Sequence, residues 1–359
     1  MKLASELLLA VGGLPLPLVA LTFLVSLALA LAASAWFTRR LETVCAALRL
    51  SSGILSVAGA LGANIPNYAA AIDALSAGHG SIGLGIIIGS NIYNIAIILG
   101  ISTFATPGRH GITLDVKEAR SVRSVALYAL IVLLLALGAV WFMPGSLLLQ
   151  GYSVVNSAHL LLMGVCLLAL GAFGALVFHI ARRSHFDYSD EVSAEAGIEM
   201  QEVELERREH GRLVFVIGEV ALALALALGG VMIMVQAGQR LTTDLHIPLV
   251  LAGLLVLAVA TSLPNTVVAV SLARANMHAA NVEEVFSSNA VNATFGLALP
   301  LLIWPVALRD PLLTVMDAPL MVALTLVALL FLYKRRMSRR IGLLFLLVYA
   351  LWVGAHMLL

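Results

Sequence analysis

Charge is scarce in this chain. Asp, Glu, Lys and Arg make up only 11% of its 359 residues, while apolar types reach 61%. A soluble globular chain is about 45–50% apolar, so the excess excludes an ordinary water-soluble domain. The 21 basic and 20 acidic residues nearly cancel, to +1. The basic residues sit in short segments between apolar runs, which leaves no basic face or stripe for a nucleic-acid partner. Cysteine is almost absent: Cys45 and Cys166 are too few for a disulfide framework and read as free thiols. There is no His-Glu-x-x-His or paired-cysteine metal signature and no nucleophile–base constellation, so neither a cofactor nor an enzyme is expected.

What fills the chain instead is a series of ten apolar runs, near residues 14–37, 52–75, 80–104, 122–143, 157–181, 212–236, 247–273, 282–306, 315–333 and 341–358. Each is long enough to cross about 30 Å of hydrocarbon as a helix. The first is far longer than the apolar part of a signal peptide, despite the Ala33-Ser34-Ala35 that follows it, and reads as a membrane helix. With the N-terminus placed outside, 18 of the 21 Lys and Arg residues fall in inside segments; only Lys2, Arg240 and Arg309 fall outside. Positive residues are retained on the cytoplasmic side. The expectation is therefore an all-α, multi-pass protein of the cell membrane with ten transmembrane helices and both termini outside.

One stretch occurs twice. Residues 62–94 and 260–292 align at a constant offset of 198 with no gap. Pro66 falls on Pro264, Asn67 on Asn265, Ser90 on Ser288, Asn91 on Asn289 and Asn94 on Asn292. The copies lie five runs apart, from the second run to the seventh, and five is odd, so they point in opposite directions across the membrane. This divides the chain into a first five-helix repeat (1–181), an acidic cytoplasmic connection (182–211) and a second repeat (212–359). Inverted repeats with interrupted helices at mid-membrane are a mark of secondary transporters.

Pro66 and Pro264 are helix-breaking residues inside spanning segments. Each lacks an N–H and crowds the carbonyl four residues back, so the carbonyls of Gly62 and Ala260 are expected to lose their helical partners. Irregular backbone at that depth is tolerated where it is buried in protein or lines a watery cavity. Ser90 and Asn94, and equally Ser288 and Asn292, are four residues apart and share a helix face. Pseudo-symmetry then brings four amides together: Asn67, Asn94, Asn265 and Asn292. Gly80, Gly83, Gly85 and Gly89 would let the third run approach a neighbour closely.

These paired motifs, Gly62-Ala63-Asn64-Ile65-Pro66-Asn67 with Ala260-Thr261-Ser262-Leu263-Pro264-Asn265, and Gly89-Ser90-Asn91-Ile92-Tyr93-Asn94 with Ser287-Ser288-Asn289-Ala290-Val291-Asn292, resemble those of the cation/calcium exchanger superfamily, the sodium/calcium and calcium/proton antiporters. The resemblance covers both halves. It implies ten helices in two inverted halves, and ions held by Asn67, Asn94, Asn265 and Asn292. Asn64, Thr261, Ser262, Ser90 and Ser288 would add side-chain oxygens, and Ala63 only its carbonyl. In typical members both residues after the motif proline are Glu, and the fourth central position is often Asp. Here all four central positions are amides. Calcium takes six to eight oxygens, several from carboxylates, and a divalent ion without counter-charge in a low-dielectric site is penalised heavily. An amide-and-hydroxyl cage suits a monovalent cation, a neutral or zwitterionic solute, or an anion approached by the N–H ends, with sodium the expected ion.

Acids elsewhere could restore charge. Asp73 and Glu219 lie within apolar runs and are the candidates for proton or ion coupling. Glu283 and Glu284 open the eighth run and read as interfacial groups, as do His159, His179 and His356 near helix ends. The leading expectation is alternating-access cation antiport shifted away from calcium; a calcium or cation exchanger using Asp73 or Glu219 comes next. From another class comes a non-transporting membrane partner or sensor. The expected partners are the lipid bilayer and a transported cation or small solute.

Overall fold

A computed structural model describes residues 13–47, 60–108, 110–143, 155–192, 213–247, 251–304, 306–307 and 310–358. Cys45 as a side chain and the acidic connection beyond Val192 lie outside the described residues. Nearly everything described is helix, as the apolar runs require: in lipid, a spanning segment must satisfy its own backbone polar groups.

In chain order the helices are α1 (Leu16–Ala47), α2 (Ile65–Ser76), α3 (Gly80–Ala105), α4 (Val116–Trp141), α5 (Val155–Val192), α6 (Leu213–Asp244), α7 (Ala252–Thr261), α8 (Leu263–Arg274), α9 (His278–Ile303), α10 (Leu313–Tyr333) and α11 (Arg339–Leu358). Among the described residues, eight helices are long and apolar enough to span, and the bent pair α7–α8 makes a ninth span. The run expected at 52–75 is described only from Ala60, where a helical turn leads through Asn64 into α2. α5 continues to Val192, so the connection after residue 181 begins as helix.

The 198-residue offset holds in the backbone itself. The break at Asn64 is matched by the break at Ser262. Asn64 N–H donates to Ala60 O (3.2 Å) and Tyr68 N–H to Asn64 O (3.2 Å); Ser262 N–H donates to Ala258 O (3.1 Å) and Thr266 N–H to Ser262 O (3.1 Å). Both breaks place a proline early in the following helix, and the axis bends by 50° between α7 and α8. The turns that follow α2 and α8 each hold one residue in the left-handed region, Gly78 (φ 83°) and Asn276 (φ 59°). Glycine meets no steric penalty there, and Asn tolerates the region better than most residues. Then α3 and α9 each widen into a π-helical stretch, Asn94–Leu99 and Asn292–Ala298. Such wide turns leave carbonyls without their usual i+4 partner and recur at functional sites.

α1 and α6 pack chiefly on each other. They share a separate apolar cluster that reaches the rest through Ile65, Ile82, Ile86 and Leu257. The larger core joins α3, α4, α9, α10 and α11. The glycines of α3 form the seam expected of them: a Cβ on Gly89 would collide with the Leu254 carbonyl oxygen and stand 2.9 Å from Leu254 Cα, and one on Gly83 would stand 2.6 Å from the Leu75 side chain. Larger residues there would push α3 away from α7 and α2.

Loop pairing gives an independent check on the helix count. Ile112–Thr113 (β1) and Arg336–Met337 (β2) form an antiparallel two-stranded ribbon, and His278 Nδ1 lies 2.7 Å from Thr113 O. The segments after α3, before α9 and after α10 therefore share one side of the bundle. Ten spans predict that arrangement, and they place all three segments on the basic side.

Candidate functional site

The two breaks and the two wide turns converge at the centre of the bundle. Asn64, Asn67, Ser90, Asn91, Asn94, Thr261, Ser262, Asn265, Ser288, Asn289 and Asn292 are all fully buried. This brings every polar residue that the repeats single out into the protein interior and away from lipid.

Asn64 is the hub. Its side-chain N–H groups donate to Ala60 O (2.7 Å) and to Ser288 Oγ (2.9 Å). Its Oδ1 accepts from Asn265 Nδ2 (2.7 Å) and Asn67 Nδ2 (3.2 Å). One side chain on the first break thus ties together α2, α8 and α9. Because Asn67 and Asn265 turn their N–H groups toward Asn64, their carbonyl oxygens are directed elsewhere. Asn67 Nδ2 also reaches Asn292 Oδ1 (3.3 Å), which closes the cluster across the pseudo-twofold axis.

Asn91 and Asn289 were equivalent by spacing, yet spacing assigned them no role. In the structure they cross-link the two wide turns. Asn94 Nδ2 donates to Asn289 Oδ1 (2.9 Å), and Asn292 Nδ2 donates to Asn91 Oδ1 (3.1 Å). Asn289 Nδ2 donates to Asn91 O (3.1 Å). The signal that could have found them was their presence at the same place in both copies of the motif.

The hydroxyls divide into two groups. Thr261 Oγ1 bonds back to its own helix at Leu257 O (2.8 Å), and Ser90 Oγ reaches Ala258 O (3.4 Å). Both stabilise backbone around the second break. Among the described residues, Ser262 Oγ is buried without a partner, as are Asn67 Oδ1, Asn94 Oδ1 and Asn265 Oδ1. A buried polar atom without a partner costs about 1–3 kcal/mol, so several such oxygens in one cluster need an explanation. All of them can accept, as the ligands of a cation must. The Gly62 carbonyl freed by Pro66 is capped from outside, by Ser34 Oγ of α1 at 2.6 Å.

The acids fall in unexpected places. Asp73 lies 3.5 Å from the Gln236 amide on α6, and Glu219 pairs with Arg40 on α1 at 3.1 Å. Neither bonds to the amide cluster among the described residues. Glu283 and Glu284, expected at the interface, are tied inward: Glu283 accepts from Ser121 of α4, and Glu284 Oε1 accepts from Ser288 Oγ at 2.9 Å. His356, also expected at an interface, is likewise turned inward. It is buried, with Nε2 3.2 Å from Asp317, which accepts from Trp352 Nε1 at 2.8 Å. Position along a helix had placed these residues near an end; the face of the helix turned them inward. Cys166 is a buried free thiol.

A cavity of about 910 Å³ lies between α1, α8 and α9, lined by Thr38, Arg39, Ala63, Pro264, Glu283 and Glu284 among others. It reaches both breaks, at Ala63 of the first and at Leu263 and Pro264 of the second.

Comparison with known proteins agrees with this geometry. The family described as sodium/calcium exchanger protein matches residues 18–181 and 215–358. The sodium-calcium exchanger NCX_Mj soaked with 10 mM Na⁺ and zero Ca²⁺ superposes with a TM-score of 0.61 at 20% identity, covering 95% of this chain and 99% of that one. The same exchanger with zero Na⁺ and Ca²⁺ gives 0.58 at 20% identity, with 95% and 99% covered. The inner membrane protein YrbG of Escherichia coli (strain K12) is 41% identical over 59 residues, which span 16% of this chain and 18% of that protein. Two inverted copies of one broken-helix motif, meeting at a buried polar cluster and matched by one family across both halves, lead to one conclusion: the chain belongs to the sodium/calcium exchanger family.

Proposed function

We propose that the chain is a secondary active cation transporter of the cell membrane, that its amide-lined centre binds a monovalent cation, and that sodium is the foremost candidate. One observation carries this reading. Asn67, Asn94 and Asn265 turn unpartnered, buried carbonyl oxygens into a cluster whose central positions hold no carboxylate. Neutral oxygens can replace the hydration shell of a singly charged ion. They leave a divalent ion with two uncompensated charges in a medium where charge is expensive. The amides also do not titrate, so they cannot themselves carry protons in exchange.

Alternating access follows from the inverted repeats. The cavity gives a path to the breaks between α1, α8 and α9, and the distribution of basic residues supports a cytoplasmic ribbon side with both termini outside. In the opposite state the equivalent path would lie between the other arms of the repeats. Charge supplied by Asp73 or Glu219, which would favour a calcium exchanger, is less well supported, since each is engaged on the α1–α6 side.

The test is flux in proteoliposomes. Radiolabelled sodium taken up against a counter-gradient of unlabelled sodium would support the reading. Saturable calcium uptake with no monovalent exchange would overturn it, and so would the absence of any flux or binding of monovalent ions.

A further inference from the structure

We propose that Glu284 is the counter-charge of the amide site, a carboxylate at the inner threshold that balances one positive charge on the bound cation. The inference rests on the monovalent-cation reading above and adds the group that sets the charge of the cargo.

Glu284 stands one helical turn before Ser288 on α9. Ser288 Oγ donates to Glu284 Oε1 (2.9 Å) and accepts from Asn64 Nδ2 (2.9 Å). Asn64 Oδ1 in turn accepts from Asn265 (2.7 Å) and Asn67 (3.2 Å). The carboxylate is therefore joined by an unbroken chain of hydrogen bonds to the two amides whose carbonyl oxygens are free. Every link runs in one sense, with each donor pointing toward the carboxylate. Aligned bonds of this kind polarise one another. A negative Glu284 thus raises electron density on the Asn67 and Asn265 oxygens, as a cation site requires.

The other carboxylate oxygen, Oε2, is buried and has no partner. The residue itself lines the 910 Å³ cavity, whose other charged lining groups are Arg39 and Glu283. Glu283 is already held by Ser121. Glu284 is the cavity-lining acid that is also bonded, through Ser288, to the amides. The offset of 198 places Ile86, fully buried, at the equivalent position of the first copy. The site thus gains one negative charge, from one copy, and a singly charged cation neutralises it. A divalent ion would keep one positive charge uncompensated.

The experiment measures radiolabelled sodium binding to the purified full chain in nanodiscs, for the wild type, Glu284→Gln, Glu284→Asp and Glu283→Gln. Monodispersity and thermal unfolding report folding. Glu284→Gln should weaken sodium binding on the order of tenfold or more, from the lost attraction of one charge. Glu284→Asp should retain more affinity than Glu284→Gln, and Glu283→Gln should bind as the wild type does. Unchanged binding in Glu284→Gln overturns the inference and leaves the amide site standing. Equal loss in folded Glu284→Gln and Glu284→Asp also overturns it. A wild type that binds no monovalent ion overturns the amide-site reading and this inference with it. On the wild type alone, dicyclohexylcarbodiimide should label Glu284 less when sodium is present, read by mass spectrometry. Labelling indifferent to sodium counts against the proposal even if the substituted proteins do not fold.

Discussion

Residues 60–99 and their counterparts 198 positions on follow the same path, yet they do not do the same chemistry. Break, left-handed turn and wide turn repeat. The polar residues that matter most do not. Asn64, with four hydrogen bonds, is answered by Ser262, whose hydroxyl has none. Ile86 is answered by Glu284, and Asp73 by Ser271. The lesson is about which property must be symmetric. Alternating access requires the backbone of each half to adopt what the other half adopts in the opposite state, so breaks and turns recur. Charge and hydrogen-bond hubs act at a shared centre and need to be supplied only once.

The strongest test of this asymmetry is a pair of substitutions at one equivalent position. Asn64→Leu strands donors or acceptors on Asn67, Asn265 and Ser288. At about 1–3 kcal/mol for each unsatisfied buried group, it should cost on the order of 3 kcal/mol or more in detergent unfolding and abolish transport. Ser262→Ala removes a hydroxyl with no bond to lose and should change stability by less than about 1 kcal/mol. Equal effects would restore the symmetry that the structure denies.

Asp317 offers a second contrast. Its carboxylate holds Trp352 and His356 in a buried cluster that has no counterpart among the described residues of the first half. Asp317→Ala should destabilise by about 3 kcal/mol, because it leaves those donors buried without an acceptor. Thermal unfolding that matches the wild type would show the cluster to be dispensable.

Asn67 and Asn265 are where the copies should behave alike. Asn67→Glu with Asn265→Glu adds two carboxylates to the centre and should raise calcium binding at least about tenfold, or about 1.4 kcal/mol, in equilibrium dialysis. The two single substitutions should contribute comparably. No gain in the double variant would remove these residues from the site.

The smallest effect concerns the first break. Ser34→Ala uncaps the Gly62 carbonyl and should cost about 1 kcal/mol. In a Pro66→Ala background the restored N–H can satisfy that carbonyl, so the same change should cost much less. A double-mutant cycle without coupling would mean that Ser34 does not compensate for the proline.

The helical spans were legible because apolar length and backbone satisfaction in lipid leave few other solutions. The breaks were legible because proline has no N–H, and the meeting of Asn67, Asn94, Asn265 and Asn292 followed from inverted symmetry. Other parts were not legible. Glu284 and His356 sit within a turn or two of a helix end, and sequence position alone suggested an interface. What decides their surroundings is azimuth, and α9 and α11 turn those residues inward. Nor could spacing show that Thr261 spends its hydroxyl on Leu257 O while Ser262, next to it, spends none.

The amino-acid sequence by itself determined the membrane architecture, the inverted repetition and the amide character of the centre. Those follow from composition, a proline's missing donor and a fixed offset, all local or periodic properties. Only the tertiary structure decided that Asn64 is the hub, that Asn91 and Asn289 lock the wide turns together, and that Glu284 is connected to the amides through Ser288. Each of those depends on which faces of distant helices come within hydrogen-bonding distance, and packing sets that for the whole bundle at once.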